Sequence, residues 1–500
     1  MRVRLLFLQT TAFFTGMTIM GLEMLASRFL APYFGTSTYV WATIIGMAMI
    51  ALSAGYALGG RWADRNPRPS GLYRILFAAS LFTFLIPIGR IISRIGYQGA
   101  IEISWVGFGV GLFGSLGLFF LPMMLLAAAS PYIIRLAAKT VGTVGTTSGR
   151  IYAVSTVGSI AGVFLTVFVG MPYVGVVETL LGYGILVLTI SALGLRSPLV
   201  AVGGGLVIIG VVLAPTQVGG ETIFEGESVY NYVRVIESPS GALHLKLNEG
   251  IGSQSVYLED DIYTRGIWDY FLAPLLVNPE ARDVLIIGFA GGTVATQYLE
   301  LSEARIVGVE IDPLVVELSK EYFGVRESDR LRVEVADGRT YLSMHREMFD
   351  IVVMDAFNPP TIPFHLATKE FFQLVESRLK ENGAIAVNVP RYGEPRHVID
   401  PVCATMEQVF GEVLLVDRRP NIPQLAIAFN GEMELDRFLF LIERNELSVP
   451  DRIVSGISRG VEVFDGDRGT ILTDNRSPIE ILVHNIIFDY AKGEDSVDLG

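Results

Sequence analysis

The 500-residue sequence predicts a multi-pass α-helical membrane domain of about seven spans, then an α/β Rossmann-type, methyltransferase-like domain with a small N-terminal β unit. Three observations predict this fold class. Apolar stretches of roughly 17 to 25 residues, the length that crosses a bilayer, recur before residue 216. Apolar and polar residues alternate at 228–258, and strand-like and helix-like segments alternate from Val284 onward. We therefore assign 1–215 to a transmembrane domain, 216–265 to a small antiparallel β subdomain and 266–500 to the Rossmann-type domain.

The predicted spans share length and apolar composition, and the first is too long to be a cleaved signal peptide. The fourth contains Pro122, the seventh is rich in glycine, and the small residues of GSIAG (158–162) indicate close helix packing. The spans are 5–27, 38–60, 72–92, 104–129, 150–172, 176–195 and 198–215. Lys and Arg are concentrated in the loops on the N-terminal side, so the positive-inside rule places the N-terminus in the cytoplasm.

Charge divides the chain in the same place. Residues 1–215 contain 13 Lys/Arg and four acids, whereas residues 216–500 contain 25 Lys/Arg and 47 acids. The acidic second half argues against a nucleic-acid partner, because neutralising phosphates requires clustered basic residues. It makes a small cationic molecule a plausible substrate, and a lipid bilayer is the expected partner of the first half.

Cysteine and histidine exclude several kinds of site. The single cysteine, Cys403, excludes an intrachain disulfide and a thiolate zinc cluster, and we interpret it as a buried structural thiol. The five histidines show no metal-ligand spacing, so we predict no metal site.

From Val284 the segments VLIIG, RIVGVE, LRVEVAD, DIVVMD and AIAVNV alternate with helices expected near 293–302, 313–322 and 367–381. This repeat predicts a parallel, doubly wound sheet, in which ligands bind beyond the carboxyl ends of the strands. Glycines or polar residues follow the first four strands at those ends. The residues that we expect to bind a nucleoside, or to act on it, are Gly288, Gly291, Gly292, Glu310, Ile311, Asp337, Gly338 and Asp355.

A phosphate-bearing dinucleotide is the first rival for this loop. The spacing is G-F-A-G-G-T and not G-x-G-x-x-G, which weakens that alternative. Glu310 lies about twenty residues past the glycine loop, where a carboxylate can accept both ribose hydroxyls. Asp337 is placed to accept from an adenine amino group, which favours an adenosyl sulfonium donor.

At these residues the sequence resembles the spermidine synthase family of polyamine aminopropyltransferases, over roughly 226–390, and the apolar leader resembles the membrane-fused branch of that family. The motifs that carry the resemblance are SVYNYVRV, LNEGIGSQ, DIY, VLIIGFAGG, VEID, ADG and DAFNP. The resemblance implies no tightly bound cofactor, with decarboxylated S-adenosylmethionine or S-adenosylmethionine as co-substrate. It also implies Asp355 as the catalytic base, Gln254 at the donor, and Tyr263, Asp260 and Asn358 at the amine.

Three departures from the family pattern affect the choice of donor and acceptor. Gly291 stands where the family has an aspartate for the donor's amine, Asn358 replaces an aspartate, and Asn231 replaces a glutamine. Without an acid at 291, the repulsion that would exclude the carboxylate of intact S-adenosylmethionine is absent. An S-adenosylmethionine-cleaving enzyme, a methyltransferase and a non-enzymatic nucleoside- or polyamine-binding transporter or sensor stay open as alternatives.

Two further residues each have two interpretations. His365, just after the fourth strand, either faces the pocket or caps a loop, and Asp474 in LTDN either closes over the pocket or caps a loop. We expect a multi-pass protein of the cell membrane and a possible homodimer. Seven spans place the acidic half outside, yet adenosyl sulfonium donors are made in the cytosol, so the side of the catalytic domain stays open.

Overall fold

The computed structural model describes residues 2–34, 38–89, 91–93, 105–138, 140–197, 221–248, 252–356, 362–389, 396, 398–416, 424–466 and 470–479. Contacts divide the chain into two compact units, Met1–Val218 and Gly219–Gly500.

The described residues of the N-terminal unit form helices joined by short turns. Its helices are α1 (Arg2–Phe34), α2 (Thr38–Arg65), α3 (Pro69–Leu85), α4 (Trp105–Ala127), α5 (Ala129–Ala137), α6 (Val144–Leu165) and α7 (Val176–Leu195), with a π-helix at Thr166–Val174 and 3₁₀ turns at Ile86–Ile88 and Val141–Thr143. Six segments of the described residues are long and apolar enough to cross a membrane: Leu5–Phe34, Val40–Arg65, Pro69–Ile88, Leu112–Ala137, Val144–Val174 and Val176–Leu195. The seventh predicted span, 198–215, lies outside the described residues.

Helices α1 and α6 approach closely because glycine occupies their contact. A Cβ atom at Gly158 would lie 2.0 Å from the carbonyl oxygen of Phe13, and one at Gly162 would lie 2.2 Å from that of Met17. Helices in an apolar surrounding associate through such close backbone packing. The small residues of GSIAG therefore serve helix packing, as the sequence predicts.

The C-terminal unit begins with an antiparallel sheet of four strands in the order β1-β2-β3-β4. The strands are β1 (Glu221–Glu227), β2 (Tyr232–Glu237), β3 (Leu243–Leu247) and β4 (Ser255–Tyr257). The alternation that predicts this unit places Val233, Val235 and Leu245 in a small core with Leu318 and Phe323. That core joins the β unit to the domain that follows.

An eight-stranded sheet forms the centre of this domain, in the order β12-β10-β11-β9-β8-β5-β6-β7. Its strands are β5 (Asp283–Ile287), β6 (Arg305–Glu310), β7 (Leu331–Val335), β8 (Phe349–Met354), β9 (Leu379–Val389), β10 (Val413–Val416), β11 (Gln424–Phe429) and β12 (Val461–Val463). The first five run parallel, as predicted. Three strands that lie beyond the predicted segments, β10, β11 and β12, extend one edge of the sheet by antiparallel pairing.

Both faces of the sheet are covered. Leu285 and Ile287 of β5 lie in the hydrophobic core on one face, and Val284 and Ile286 lie in the core on the other. This burial explains why the parallel strands are continuous apolar runs. The helices are α8 (Ala273–Val277), α9 (Thr293–Leu301), α10 (Pro313–Tyr322), α11 (Gly338–Met344), α12 (Lys369–Glu376), α13 (Ile399–Phe410), α14 (Leu435–Arg444) and α15 (Asp451–Gly460), with 3₁₀ turns at Ile267–Leu272 and Phe364–Leu366.

Cys403 lies in α13 and is buried, which confirms the interpretation of a structural thiol. Helix α12 ends at Glu376, before the predicted limit at 381, because β9 already begins at Leu379.

Candidate active site

The glycine-rich turn after β5 packs directly against the end of β8. Gly288 has φ +83°, a conformation that favours glycine, and a Cβ there would lie 2.6 Å from the carbonyl carbon and oxygen of Asp355. The backbone amide of Asp355 in turn donates to the carbonyl of Ile287 at 2.9 Å. The glycine thus permits the close approach that brings the turn and Asp355 together.

Asp355 follows β8 in the middle of the sheet, and its carboxyl group is held by two donors. The Asn388 amide donates from Nδ2 to Asp355 Oδ1 at 2.7 Å, and the side chain of Trp268 also donates to the carboxyl group. Burial raises the pKa of Asp355 to about 7, although both hydrogen bonds lower it. The carboxyl group therefore titrates near neutral pH, where a general base is most effective.

Asn388 lies near the end of β9, the neighbour of β8, and is almost fully buried. Its Oδ1 atom has no hydrogen-bond partner among the described residues. A buried amide oxygen without a partner is costly, and it suits a site that receives a donor group when occupied.

Glu310 ends β6 and is 7% exposed. Its Oε2 accepts from the amide of Ala290 at 2.9 Å, and its Oε1 accepts from the amide of Asp312 at 3.1 Å. Burial raises the pKa of Glu310, against the lowering effect of these two hydrogen bonds. Ile311, the next residue, is 39% exposed beside this carboxyl group.

Gly291 is constrained by packing. Its amide donates to the hydroxyl of Ser255 at 2.8 Å, and a Cβ at this position would lie 2.7 Å from Ser255 Cβ and 2.9 Å from the ring of Phe323. An aspartate here would require β4 or Phe323 to move. The absence of an acid at this position is therefore built into the contact between the β unit and the glycine loop.

Asp337 caps the N-terminus of α11. Its Oδ1 accepts from the amide and hydroxyl of Thr340 at 2.8 and 2.9 Å, and its Oδ2 pairs with His365 Nε2 at 2.8 Å. Burial alone would raise the pKa of Asp337, but these hydrogen bonds hold it below its ordinary value. The next residue, Gly338, packs on Ile287, where a Cβ would lie 2.3 Å from Cγ2, so the cap lies beside the end of β5.

An acidic cavity of about 540 Å³ lies beside the glycine loop, and Asp260, which the resemblance places at the amine, is part of its lining. Its lining includes Gly291 and four carboxylates, those of Glu259, Asp260, Asp261 and Glu300.

Two more residues expected at the substrates lie near this part of the chain. The amide of Tyr263 donates to Asp261 Oδ1 at 2.9 Å, and the guanidinium of Arg452 lies 5.7 Å from the ring centre of Tyr263. Gln254 is tied to β3 through its backbone amide, which donates to the Leu245 carbonyl at 2.8 Å. Asn358 lies outside the described residues.

Asn231, which replaces the family's glutamine, has a structural role here. It is 8% exposed, its Nδ2 donates to Asp312 Oδ2 at 3.0 Å, and its Oδ1 accepts from Asn248 Nδ2 at 3.1 Å. Ser228 also donates to Asp312, at 2.6 Å. The opening motif SVYN thus fastens the β unit to the N-terminus of α10, which Asp312 caps.

Sequence reasoning missed Trp268 and Asn388, the two side chains that bind Asp355. Asn388 could have been found from the sequence, because it is the one polar residue within the apolar strand AIAVNV. Trp268 could not have been found in this way, since it lies in a 3₁₀ turn far from Asp355 in the sequence, and only the tertiary structure brings the two together.

Part of this chain is similar to known proteins. A family model described as the spermine/spermidine synthase domain matches residues 262–425. The chain is 31% identical over 292 residues to a probable polyamine aminopropyl transferase of Bifidobacterium longum, covering 54% of this chain and 64% of the relative. It is 32% identical over 210 residues to the polyamine aminopropyltransferase of Vibrio vulnificus, covering 40% of this chain and 69% of the relative.

A crystal structure of spermidine synthase in complex with the transition-state analogue AdoDATO matches with a TM-score of 0.41 and 19% identity, over 48% of this chain and 85% of that one. The chain spans just under two thirds of the length of the Bifidobacterium relative.

Proposed function

This chain belongs to the spermidine synthase family, and we propose that its C-terminal unit is an aminopropyltransferase-like enzyme. The enzyme acts on an adenosyl sulfonium donor and a cationic amine acceptor, and it releases methylthioadenosine. The observation that carries this proposal is Asp355, a carboxyl group at the end of a central strand, beside a glycine turn, with a pKa of about 7. A carboxylate with these properties is a suitable general base.

The reaction uses that base once. Asp355 accepts one proton from the protonated amine, which frees the nitrogen lone pair. The lone pair attacks the donor carbon next to the sulfonium, the carbon–sulfur bond breaks, and sulfur keeps the electron pair. The products are the alkylated amine, methylthioadenosine and a protonated Asp355, which then returns its proton to water.

The donor is proposed to lie across the carboxyl ends of β5, β6 and β7. Glu310 is oriented there by two backbone amides, which leaves its remaining lone pairs to accept from the ribose hydroxyls. Asp337 accepts from the adenine amino group, and Gly288 and Gly338 permit the close packing on Asp355 and Ile287 that brings these strand ends together. Binding of a donor at such strand ends is the usual arrangement in open α/β sheets.

The acceptor is proposed to be a small cation. The four carboxylates of the acidic cavity create a negative potential that raises the local concentration of a positively charged amine. Tyr263 and Asp260 lie in the segment that forms this cavity and its border, where they can contact the amine.

The donor is either decarboxylated or intact S-adenosylmethionine. Gly291 offers no carboxylate to bind the amine of the decarboxylated form or to repel the carboxylate of the intact form. Calorimetric titration of the solubilised chain with both donors tests this point, and much tighter binding of the decarboxylated form would rule out the intact one.

The function is tested with Asp355→Asn in the full detergent-solubilised chain. We expect methylthioadenosine release, measured by mass spectrometry, to fall by about 100-fold or more, because general-base catalysis contributes about that factor. Binding of methylthioadenosine should persist. Asp350→Asn is the matched control, since Asp350 lies at the opposite end of β8 and binds Lys380. Equal release by the wild type and Asp355→Asn would refute the role of Asp355, and a wild type that binds methylthioadenosine but releases none from either donor would favour a binding protein.

We also propose that the N-terminal unit anchors the enzyme in the cell membrane. The apolar helices and the basic N-terminal-side loops support this location. A reporter that is active only in the cytoplasm, fused after Gly500, reports the side of the catalytic unit. Recovery of the full chain in the soluble fraction without detergent would contradict the membrane location.

A further inference from the structure

A short turn that comes after β8 in the sequence contacts the N-terminus of α11. His365 lies there in the 3₁₀ turn Phe364–Leu366, and its Nε2 donates to Asp337 Oδ2 at 2.8 Å. Thr340 engages the other oxygen, Oδ1, through its amide and its hydroxyl. Both oxygens of Asp337 are thus held by partners from different elements, which fixes the plane of the carboxylate.

The backbone of His365 is held in turn by a clamp, which we define as Arg339 and Asp474. Arg339 Nη1 donates to the His365 carbonyl at 3.0 Å, and the guanidinium binds Asp474 through two contacts of 2.7 Å each. Asp474 also accepts from the Thr368 hydroxyl at 2.8 Å. Two parallel hydrogen bonds between a guanidinium and a carboxylate give strong directional preference.

The clamp connects the turn Thr473–Arg476 to Asp337, the residue that is predicted to bind the adenine. Asp474 lies in the turn Thr473–Arg476, and Leu472 just before it accepts from the amide of Lys369 at 2.8 Å. The turn that contains Asp474, more than a hundred residues beyond Asp337, therefore stabilises the loop that contains His365. That loop in turn positions the carboxylate of Asp337. The sequence leaves two interpretations open for His365 and for Asp474. The structure shows that the His365 side chain contacts Asp337. Asp474 stabilises the loop through Arg339 and Thr368.

We propose that His365, supported by the Arg339–Asp474 clamp, is a positioning residue that fixes Asp337 for the donor's base and thereby selects a 6-amino purine over a 6-oxo purine. This inference rests on the proposed function, in which Asp337 receives the base. A carboxylate accepts hydrogen bonds and donates none, so it matches an amino group and repels a carbonyl oxygen. With His365 on one lone pair of Oδ2, a second lone pair remains for the amino group.

The probes are methylthioadenosine and methylthioinosine, which differ in the 6-amino and 6-oxo groups, titrated calorimetrically into the full solubilised chain. We expect the wild type to prefer methylthioadenosine by at least about tenfold, and His365→Ala to lose most of that preference. His365→Gln, whose amide reaches a similar position, should restore it. Asp474→Asn, which weakens the clamp, should reduce it partly.

His345→Ala is the matched control. His345 follows the other end of α11, where its Nδ1 contacts the carbonyl of Tyr341 at 2.9 Å and its ring stacks on Tyr341. This variant should keep the wild-type preference. The inference is overturned if His365→Ala keeps the preference, or if His345→Ala loses it equally. If the wild type binds neither nucleoside, both the inference and the proposed function fail, whereas binding without dependence on His365 overturns the inference alone.

Discussion

The hydrogen bond from Asn388 to Asp355 should set the pH at which the enzyme becomes active. Asn388→Ala removes a donor at 2.7 Å from a carboxylate. A hydrogen bond to a charged group contributes about 1.5 to 3 kcal/mol. Since one pKa unit corresponds to about 1.4 kcal/mol, its loss should raise the pKa of Asp355 by roughly one to two units.

The expected loss of activity depends strongly on pH. The wild-type carboxyl group, with a pKa of about 7, is about half ionised at pH 7. With a pKa of about 8 to 9, the variant would be roughly 10% to 1% ionised there, so its activity should fall about 5- to 50-fold. At pH 9 the two proteins should differ by about twofold or less, because both then contain mostly or largely carboxylate.

The assay follows methylthioadenosine release at saturating donor and limiting amine from pH 6 to 9. The amine substrate ionises to the same extent in both proteins at a given pH. The ratio of variant to wild-type activity therefore reports only the ionisation of Asp355. Asn430→Ala is the control, because Asn430 donates to the carbonyls of Leu379 and Lys380 near the start of β9. A ratio for Asn388→Ala that stays constant with pH would refute the reasoning.

Three further outcomes are expected. Because burial raises the pKa of Asp355 from 3.8 to about 7, the folded state binds more protons than the unfolded state, so wild-type stability falls as the pH rises across that range. Asp355→Asn should therefore stabilise the chain more at pH 8 than at pH 4.5 in thermal unfolding, and equal differences would contradict the shift. Asn231→Ala should cost about 1 to 3 kcal/mol by leaving buried groups unpaired, and Asn231→Asp should cost more by placing a carboxylate against Asp312; denaturant unfolding that ranks them in the opposite order would exclude this. Gly158→Val should reduce the yield of folded, solubilised protein because its Cβ meets the Phe13 carbonyl, whereas Gly149→Val, in the same helix with open space, should not; similar yields would show that α1 and α6 do not need this contact.

Much of the architecture follows from local pattern. The strand segments RIVGVE and DIVVMD become β6 and β8 almost residue for residue, because a strand buried on both faces must be apolar throughout. Length and hydropathy likewise identify the apolar helices of the N-terminal unit. The antiparallel edge was not predictable, since β10 and β11 are short apolar runs whose direction depends on how the chain returns after α13.

The candidate site divides in the same way. Gly288, Glu310, Asp337 and Asp355 are recognisable because each ends a strand or follows one directly, and adjacent parallel strands bring their carboxyl ends to one edge. The fold then assigns hydrogen-bond partners that spacing cannot reveal, and it gives Asn231 a structural role through its contact with Asp312.

The sequence by itself determined the two-part organisation, the family and the strand ends at which chemistry is expected, because these depend on composition, period and order along the chain. Only the tertiary structure decided what surrounds each carboxyl group. The pKa of Asp355 depends on burial and on donors from Trp268 and Asn388, and the plane of Asp337 depends on His365. These contacts join residues that lie far apart in sequence, and electrostatic and hydrogen-bond energies depend on distance in space.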